Sequence, residues 1–427
     1  MKTKITNAKV ITMDNNFKEI DDLDVVFEND EIVFVGKEYT ETVDKVIDGK
    51  NKILMPGLIN CHTHLGMSLF RGTNDNYPLS TWLSDYIWPI EDKMTDDDLY
   101  ITTLVSCLEM IKTGTTCFND MYFGWKGVLK AIKDTKMRGL FGRCLVGTME
   151  TGKNRIDEFK EMYQEENGKS DLIGFTIAPH GLYTCDSEYI NECSKLADKY
   201  NLPIHMHLAE NRQELIDIKN MHHKEWIDVL KDANFLNKKL ILAHCTYLSH
   251  LEELQGKDVN IVTNPISNLN LGCGIADIKS YLEKGLNVCL GTDGQGSGNN
   301  MNLFYHMSLL DYLQKGVYED PTILRSYDVL KMATINGAKA LGLEDKIGSI
   351  TVGKKADLIL IDLNDIAMTP TVNIVTEIAH NGWFNSIDTT IINGEIIYSN
   401  NKFNLDIDIN KLKEDINNIR TRLLKDE

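Results

Sequence analysis

The chain has 427 residues, of which 42% are hydrophobic and 25% are charged, as is typical of a globular enzyme. Its formal charge is −18, from 45 basic and 63 acidic residues. This acidic excess disfavours binding to a nucleic-acid backbone or to an anionic membrane surface, because either partner needs a basic face. The charge carries no information about small-molecule partners.

The N-terminal stretch "MKTKITNAKVITMDNN" has no continuous apolar segment, and no later run approaches the roughly 20 apolar residues that span a bilayer. We therefore expect a cytoplasmic protein. The cysteines occur singly without a CxxC pair, so neither a disulfide framework nor a zinc ribbon is predicted. Cys61 and Cys245, each next to a histidine, are candidate nucleophiles, although neighbours in a strand face opposite sides.

Short strand-like runs occur at both ends of the chain. The first 54 residues contain "NAKVITM", "DVVFEND", "EIVFVG" and "KVIDG", and the region from about residue 347 contains "GSITVGKKADLILIDL" and "TTIINGEIIYS". Asn, Asp and Gly bound these runs, and "NG" is typical of a hairpin. The pattern predicts one small β-sandwich domain from residues 1–55 and 346–405, followed by a helix over 406–427. Two independent terminal domains are the alternative.

The middle of the chain alternates between apolar runs and helical stretches. Eight runs end in polar residues: "LMPGLINCHTH", "GTTCFND", "GLFGRCLV", "LIGFTIAPH", "LPIHMHLAE", "LILAHCTY", "VNIVTNP" and "VCLGTDG". Between them, one predicted helix begins at Thr95 and stops at Gly114, and another begins at Asp186 or Ser187. This α/β pattern predicts a (β/α)₈ TIM barrel over residues 56–345. An open doubly wound sheet is the alternative, but no GxGxxG follows the first strand.

The active site of such a barrel lies at the carboxyl ends of its strands. The polar residues there are His62, His64, Asn119, Asp120, Arg143, His180, His207, Glu210, His244, Asn264 and Asp293. His62 and His64 lie two apart, so both face one side of a strand and can share a metal ion. A lone HxH is weak evidence. With His207 and Asp293 as further donors a metal site is favoured, although spacing alone does not separate His205 from His207.

Three imidazoles and one carboxylate leave a position for water on a divalent cation, which lowers the pKa of that water towards about 7. We expect one metal ion, because "GFTIAPHG" offers no lysine to bridge a second. Glu210 is a candidate proton donor and acceptor, the alternative being a helix-start carboxylate paired with Arg212. His244 is a candidate for steadying an anionic oxygen, and Asp293 for taking the proton of the attacking water.

The segments "PGLINCHTH", "HMHLAE", "LAHCTYL", "NPISNLNL" and "LGTDG" resemble the amidohydrolase superfamily and, within it, the S-adenosylhomocysteine/5′-methylthioadenosine deaminases. The resemblance covers nearly the whole chain. It implies a metal held by His62, His64, His207 and Asp293, with Glu210 and His244 in catalysis. It places His205 one layer deeper in the barrel. The implied cofactor is one divalent cation, Zn²⁺ with Fe²⁺ or Mn²⁺ as alternatives.

The resemblance also implies substrate contacts. In "TWLSDYIWPIE", Trp82 would flank the ligand and Glu91 would bind the ribose hydroxyls. Arg143 and Arg155 match positions that hold the homocysteine carboxylate, and His180 matches a contact to the purine and ribose. A solvated helix face is the alternative for Arg155. We expect a homo-oligomer, in which a neighbouring subunit can supply one of the arginines.

The chain departs from the family pattern in two loops. Gly272 and Cys273 stand where an Ala-Ser pair is common, and "TDGQGSGNNMN" differs from the usual "TDGAASNN". The expected function is hydrolytic removal of the C6 amino group of an adenine nucleoside, with the nucleoside left open between S-adenosylhomocysteine, 5′-methylthioadenosine, adenosine and 5′-deoxyadenosine. The alternatives are a related hydrolase of guanine, 8-oxoguanine or a triazine, and a barrel that binds without catalysis.

Overall fold

The computed structural model describes residues 1–14, 19–73, 76–381 and 386–424. The strands are β1 (Lys2–Ile11), β2 (Glu19–Glu28), β3 (Glu31–Gly36), β4 (Lys45–Asp48), β5 (Lys52–Pro56), β6 (Leu58–Thr63), β7 (Thr115–Tyr122), β8 (Arg138–Leu145), β9 (Ile173–Phe175), β10 (Ala178–Pro179), β11 (Ile204–Leu208), β12 (Leu240–His244), β13 (Val259–Thr263), β14 (Asn287–Leu290), β15 (Leu358–Asp362), β16 (Ile387–Ile392), β17 (Glu395–Ser399) and β18 (Lys402–Phe403).

The α-helices are α1 (Leu79–Thr81), α2 (Trp88–Glu91), α3 (Asp96–Lys112), α4 (Trp125–Thr135), α5 (Lys153–Glu166), α6 (Ser187–Tyr200), α7 (Arg212–His222), α8 (Trp226–Asp232), α9 (Leu251–Leu254), α10 (Pro265–Asn270), α11 (Ile278–Glu283), α12 (Gln295–Gly298), α13 (Leu303–Tyr318), α14 (Ser326–Met332), α15 (Ile335–Leu341), α16 (Ile374–Asn381) and α17 (Ile409–Leu423). Short 3₁₀ segments occur at Leu65–Phe70, Phe235–Asn237 and Ile366–Met368, and a π-helical turn at Trp82–Ile87. Within the described ranges, no helix combines the length and apolarity needed to cross a membrane.

The two chain ends form one nine-stranded sheet in the order β18-β17-β16-β15-β5-β1-β2-β3, with β4 paired to β1. Strand β5 is parallel to β1 and antiparallel to β15, so it joins the two ends through backbone hydrogen bonds. Buried apolar side chains from both ends, among them Val10, Phe27 and Leu358, pack into a common core. The alternative of two independent terminal domains is therefore wrong, while the exact domain boundaries stay predictions.

Strands β6 to β14 form the barrel. Two parallel sheets, one containing β6 to β10 and one containing β11 to β14, are joined by bridges from Ile177 to Ile204 and from Gly181 to His207. A parallel bridge from Thr63 to Asp293 closes the ring. The fourth run is split into β9 and β10, the first covers the end of β5 and the whole of β6, and the other six are single strands. The predicted (β/α)₈ fold is confirmed.

The predicted helix boundaries follow from local hydrogen bonds. Helix α3 begins with a capping box in which the Thr95 side chain accepts from the Asp98 amide, and the chain leaves the helix through Gly114 at φ +82°. Helix α6 begins at Asp186, whose side chain accepts from the Tyr189 amide. These caps set where the chain returns to the barrel, and so where each strand end lies.

Candidate active site

Eight of the predicted site residues converge on one cavity at the barrel mouth. At this end the chain turns sharply, since Ala209, His244 and Asp293 all adopt positive φ angles between +52° and +70°. Such angles are uncommon for residues with a side chain and cluster at functional sites. The predicted residues that line the cavity are His64, Trp82, Glu91, His180, His207, Glu210, His244 and Asp293.

The predicted metal ligands bring their donor atoms close together. Asp293 Oδ1 lies 3.4 Å from His62 Nε2 and 3.2 Å from His64 Nε2, and His64 Nε2 lies 3.2 Å from His207 Nε2. A tetrahedral zinc with bonds of about 2.0–2.2 Å separates its ligand atoms by roughly 3.3–3.5 Å. The buried His62 Nε2 has no hydrogen-bond partner among the described residues. Donor chemistry and spacing therefore both fit a divalent cation.

Two of these histidines are oriented by backbone carbonyls. His64 Nδ1 lies 2.6 Å from the Met121 carbonyl oxygen, and His207 Nδ1 lies 2.6 Å from the His180 carbonyl oxygen. Each Nδ1 therefore donates its hydrogen to the backbone, which leaves Nε2 as the lone-pair atom facing the cavity. Such outer contacts select the tautomer that a metal ligand needs.

The carboxylate of Asp293 is held by two hydroxyl groups. Ser267 Oγ donates to Asp293 Oδ2 at 2.6 Å, and Ser297 Oγ donates to the same oxygen at 2.7 Å. Burial would raise the pKa of Asp293, but its close contacts with the His62 and His64 rings outweigh burial and hold that pKa well below its ordinary value. The carboxylate is thus ionised, with Oδ1 left facing the histidines.

His205 lies one layer below the predicted ligands. Its Nε2 is 2.8 Å from Nδ1 of His62, and its side chain is fully buried. Burial holds the pKa of His205 well below its ordinary value, so the ring is neutral. His205 therefore supports a predicted ligand from beneath, at the depth that the family resemblance implied.

Glu210 and His244 face each other beside the predicted metal position. Glu210 Oε1 is 3.7 Å from His244 Nδ1, and it also accepts a weak hydrogen bond from Cys273 Sγ at 3.8 Å. His244 Nδ1 donates to Asn268 Oδ1 at 2.8 Å. Burial raises the pKa of Glu210 despite the opposing charge of His244. A buried carboxyl group with a raised pKa is suited to proton transfer near neutral pH.

The alternative role for Glu210, a helix-start carboxylate paired with Arg212, is wrong. Helix α7 is capped by Asn211, whose side chain accepts from the Glu214 amide. The Arg212 guanidinium lies 4.3 Å from the centre of the Tyr247 ring. The Glu210 side chain therefore neither caps the helix nor pairs with Arg212, and it lines the cavity.

The two cysteines considered as nucleophiles are buried away from the cavity lining. Cys61 packs with Ile59, Cys117 and Cys289 in a separate apolar cluster of the barrel. Burial raises the pKa of both Cys61 and Cys245 well above the ordinary thiol value. Since the thiolate is the nucleophilic form, neither thiol is suited to nucleophilic catalysis.

The segment after β6 carries Trp82 and Glu91 over the cavity. Trp82 is 3% exposed, and its Nε1 has no hydrogen-bond partner in the described part of the chain. Tyr122 Oη donates to Glu91 Oε1 at 2.6 Å. Burial raises the pKa of Glu91 to about 7, although the Tyr122 hydrogen bond opposes this. Both side chains can therefore offer polar atoms to a ligand.

His180 ends the fourth strand run and also lines the cavity. Its Nδ1 lies 3.0 Å from Thr184 Oγ1. Burial lowers the pKa of His180 to about 3, so its ring is neutral at physiological pH. The ring can therefore donate or accept a hydrogen bond without bringing a charge.

The two predicted carboxylate-binding arginines do not line the cavity. Arg143 forms an ion pair with Glu158 at 2.8 Å and donates to the Cys144 carbonyl oxygen at 2.6 Å. Arg155 donates to the Val146 carbonyl oxygen at 3.2 Å. In the single chain, both guanidinium groups thus bind other protein groups. Trp82 and Glu91, in contrast, line the cavity.

Several residues that the sequence reasoning missed contact the predicted ones directly. They are Tyr122, Glu214, Ser267, Asn268 and Ser297, which hydrogen-bond to predicted site residues or to their backbone. All five lie within five positions of a predicted strand-end residue, in "NDMY", "HLAENRQE", "NPISN" and "TDGQGS". Proximity to a motif was the available signal in the sequence. It does not show which nearby side chain hydrogen-bonds to a site residue.

The sequence model of the amidohydrolase family matches residues 53–397. The chain is 38% identical over 418 residues to a 5-methylthioadenosine/S-adenosylhomocysteine deaminase of Thermoanaerobacter pseudethanolicus, covering 96% of this chain and 97% of the relative. It is 39% identical over 402 residues to a 5′-deoxyadenosine deaminase of Methanocaldococcus jannaschii, with coverages of 92% and 94%.

A solved structure of a zinc-bound adenosine deaminase from Xanthomonas campestris superposes with a TM-score of 0.95, at 28% identity and 99% coverage of both chains. The family match includes the barrel strands that carry the predicted ligands, and the relatives align along almost the whole chain. The chain therefore belongs to the amidohydrolase family.

Proposed function

We propose that this protein is a metal-dependent hydrolytic deaminase that converts the C6 amino group of an adenine nucleoside to an oxo group and releases ammonia. The observation that carries the proposal is the cluster of His62, His64, His207 and Asp293, in which three pairs of donor atoms lie 3.2–3.4 Å apart, beside Glu210 and His244. The relatives of similar length are deaminases of such nucleosides. The substrate candidates are S-adenosylhomocysteine, 5′-methylthioadenosine, adenosine and 5′-deoxyadenosine.

The cofactor is one divalent cation held by His62, His64, His207 and Asp293. Zinc is favoured, because the donor set suits it and the similar adenosine deaminase structure has zinc bound. Fe²⁺ and Mn²⁺ suit the same donors less closely. A bound cation of this kind lowers the pKa of a water molecule and so supplies the attacking nucleophile at neutral pH.

Glu210 is assigned to proton transfer. Its raised pKa lets the carboxyl group carry a proton to the ring nitrogen N1, which makes C6 more electrophilic. His244 donates from Nδ1 to Asn268, so protonation of its Nε2 would make it a donor to an oxygen in the cavity. We assign acceptance of the attacking water's proton to Asp293, since Oδ2 is held by two serines and the carboxylate cannot turn away.

Substrate contacts are assigned to Trp82, Glu91 and His180, which line the same cavity. Ionised Glu91 can accept hydrogen bonds from two ribose hydroxyls, and Tyr122 holds its other face. The neutral ring of His180 can contact the purine and ribose. The proposal for Arg143 requires its guanidinium to exchange Glu158 for the substrate carboxylate, and Arg155 stays a prediction.

The proposal is tested by ammonia release from adenosine, 5′-methylthioadenosine, S-adenosylhomocysteine, 5′-deoxyadenosine and guanine, with metal analysis of the same sample. We expect turnover of at least one adenine nucleoside and about one metal ion per chain. Absence of ammonia from every adenine nucleoside would overturn the proposal. Turnover of guanine alone would favour the alternative, a related hydrolase that acts on another aminated heterocycle. The cytoplasmic location and the homo-oligomer remain predictions, the latter checked by sedimentation.

A further inference from the structure

The first turn of helix α7 contains a buried carboxylate that points back to the end of β11. Glu214 Oε1 accepts a hydrogen bond from the Ala209 amide at 2.9 Å, and Oε2 accepts one from the Glu210 amide at 2.6 Å. The residue is 3% exposed. One side chain thus binds two successive peptide units, the second of which belongs to the proposed proton-transfer residue.

These hydrogen bonds differ from an ordinary helix cap. In a capping box, the acidic residue of the first turn accepts from the amide of the N-cap residue. Here the N-cap is Asn211, whose side chain accepts from the Glu214 amide at 2.9 Å, while Glu214 reaches past Asn211 to the two residues before it. The helix start is already capped, so the Glu214 carboxylate acts on the strand end instead.

The strand end that Glu214 holds has an unfavourable backbone conformation. Ala209 has φ +52°, which residues with a Cβ rarely adopt. The opposite edge of this turn is also bound, because the Leu208 and Ala209 carbonyls accept from the amides of Cys245 and Tyr247, each at 3.0 Å. The turn directs Glu210 into the cavity and is held from both sides.

The position of Glu214 also has an electrostatic cost. Burial and, second to it, the charge of the neighbouring Glu210 raise the pKa of Glu214 to about 7. Two carboxyl groups close together in a buried site are unfavourable. Helix capping, which Asn211 supplies, does not account for this arrangement, whereas orientation of the Ala209–Glu210 peptide does.

We propose that Glu214 is a positioning residue for proton transfer, and that its two hydrogen bonds hold the Glu210 backbone so that the Glu210 carboxyl group faces His244 and the substrate ring. This inference rests on the proposed function, because that function gives Glu210 its role. Glu214 lies outside the proposed metal ligands and need not contact the reacting atoms.

The test replaces Glu214 by its isosteric amide in the full-length, metal-loaded protein. In E214Q, one carboxylate oxygen becomes an NH₂ group that faces a backbone amide, so one of the two hydrogen bonds is lost. We expect kcat to fall about 10- to 100-fold, because displacing a catalytic group slows the reaction by about this factor. KM should change less than about twofold and metal content should equal that of the wild type, since neither depends on Glu210 orientation.

A matched control and a second variant accompany this test. E188Q alters an exposed first-turn glutamate of the preceding helix α6 and should keep the wild-type kcat. E214D keeps the charge but is one methylene shorter, so it should also lose kcat. The double variant E210Q/E214Q should be no slower than E210Q alone, because a residue that acts through Glu210 adds no loss once that carboxylate is gone.

The outcomes separate the two proposals. If the wild type releases no ammonia from any adenine nucleoside, the proposed function fails. If the wild type is active but E214Q or E214D keeps its kcat, the inference about Glu214 alone is overturned. It is also overturned if the loss of activity in both variants follows loss of metal or of folded protein, measured by metal analysis and thermal unfolding.

Discussion

The two sides of the barrel mouth differ in how completely the single chain assembles them. On the metal side, Asp293 Oδ1 already lies 3.4 Å from His62 Nε2 and 3.2 Å from His64 Nε2. On the arginine side, Arg143 is paired with Glu158 and does not line the cavity. We propose that the chemistry depends on groups already held in place at the strand ends, whereas discrimination among 5′ substituents depends on a guanidinium group that must first exchange its partner. Rigid elements position catalytic groups more accurately than exchangeable side chains do.

The largest expected effect comes from the metal side. H64A or D293A should lose both the metal and the activity, because three donors no longer close the coordination sphere. The activity should fall by at least about a hundredfold, since a Lewis acid contributes several kcal/mol. Metal content per chain and ammonia release are measured together. H223A, which alters an exposed histidine, is the control, and full metal content in D293A would refute the ligand assignment.

The next effect separates proton transfer from metal binding on the same side. E210Q should keep the metal and lose turnover by about 10²- to 10⁴-fold, because the amide cannot carry the proton. The two measurements are metal content and kcat. A metal-free E210Q, or one that turns over near the wild-type rate, would show that the role of Glu210 is assigned incorrectly.

A smaller effect is expected on the arginine side. If Arg143 exchanges Glu158 for the homocysteine carboxylate, R143Q should raise KM for S-adenosylhomocysteine by up to about tenfold, the low end for a charge-assisted hydrogen bond, because Glu158 already competes. KM for 5′-methylthioadenosine, which has no carboxylate, should change little. The selectivity ratio is the quantity measured.

The companion variant E158Q sharpens this comparison. Removing the competing carboxylate frees Arg143, so E158Q should lower KM for S-adenosylhomocysteine by a few-fold and leave 5′-methylthioadenosine unaffected. Equal changes for both substrates in R143Q and E158Q would show that the ion pair is structural. R155Q is measured alongside, since Arg155 bonds to backbone rather than to a carboxylate.

The smallest effect concerns the pH dependence of nucleoside binding. Burial raises the pKa of Glu91 to about 7, and the Tyr122 hydrogen bond lowers it. Only the ionised form accepts both ribose hydroxyls, so KM should rise as pH falls through about 7. Y122F removes the group that favours the ionised form, so the pKa rises and KM increases at a higher pH than in the wild type.

The control for this shift is Y163F, which alters a tyrosine of helix α5 that packs against Phe159. KM is followed across neutral pH for each variant. A pH profile of KM that is identical in Y122F and the wild type would show that Glu91 does not bind the ribose hydroxyls.

The pattern of strand-like runs in the sequence was sufficient to predict the fold. Apolar runs that end in polar residues predicted the eight barrel strands, and the turn residues at both ends predicted a shared β domain, because these signals are local and periodic. The split of the fourth run into β9 and β10 was not predictable, since it depends on how Ile177 and Gly181 bridge to β11. Such pairing is decided by neighbouring strands.

The site was partly predictable for a similar reason. His62 and His64 follow from their spacing, because residues two apart in a strand face one side. His205 and His207 have the same spacing, so periodicity cannot choose between them. The choice depends on depth in the barrel, which the stagger of neighbouring strands determines. In the structure, His205 contacts His62 from below while His207 lies beside His64.

The sequence by itself determined the barrel, the types of donor residue and the presence of a carboxylate near them, because these depend on residue type and on spacing along one strand. Only the tertiary structure decided which groups meet across elements: the serines on Asp293, Tyr122 on Glu91, Glu158 on Arg143 and Glu214 on the Glu210 backbone. Hydrogen bonds and ion pairs form at about 3 Å between atoms whose separation along the chain carries no such information. Their partners are therefore set by the packing of helices on strands.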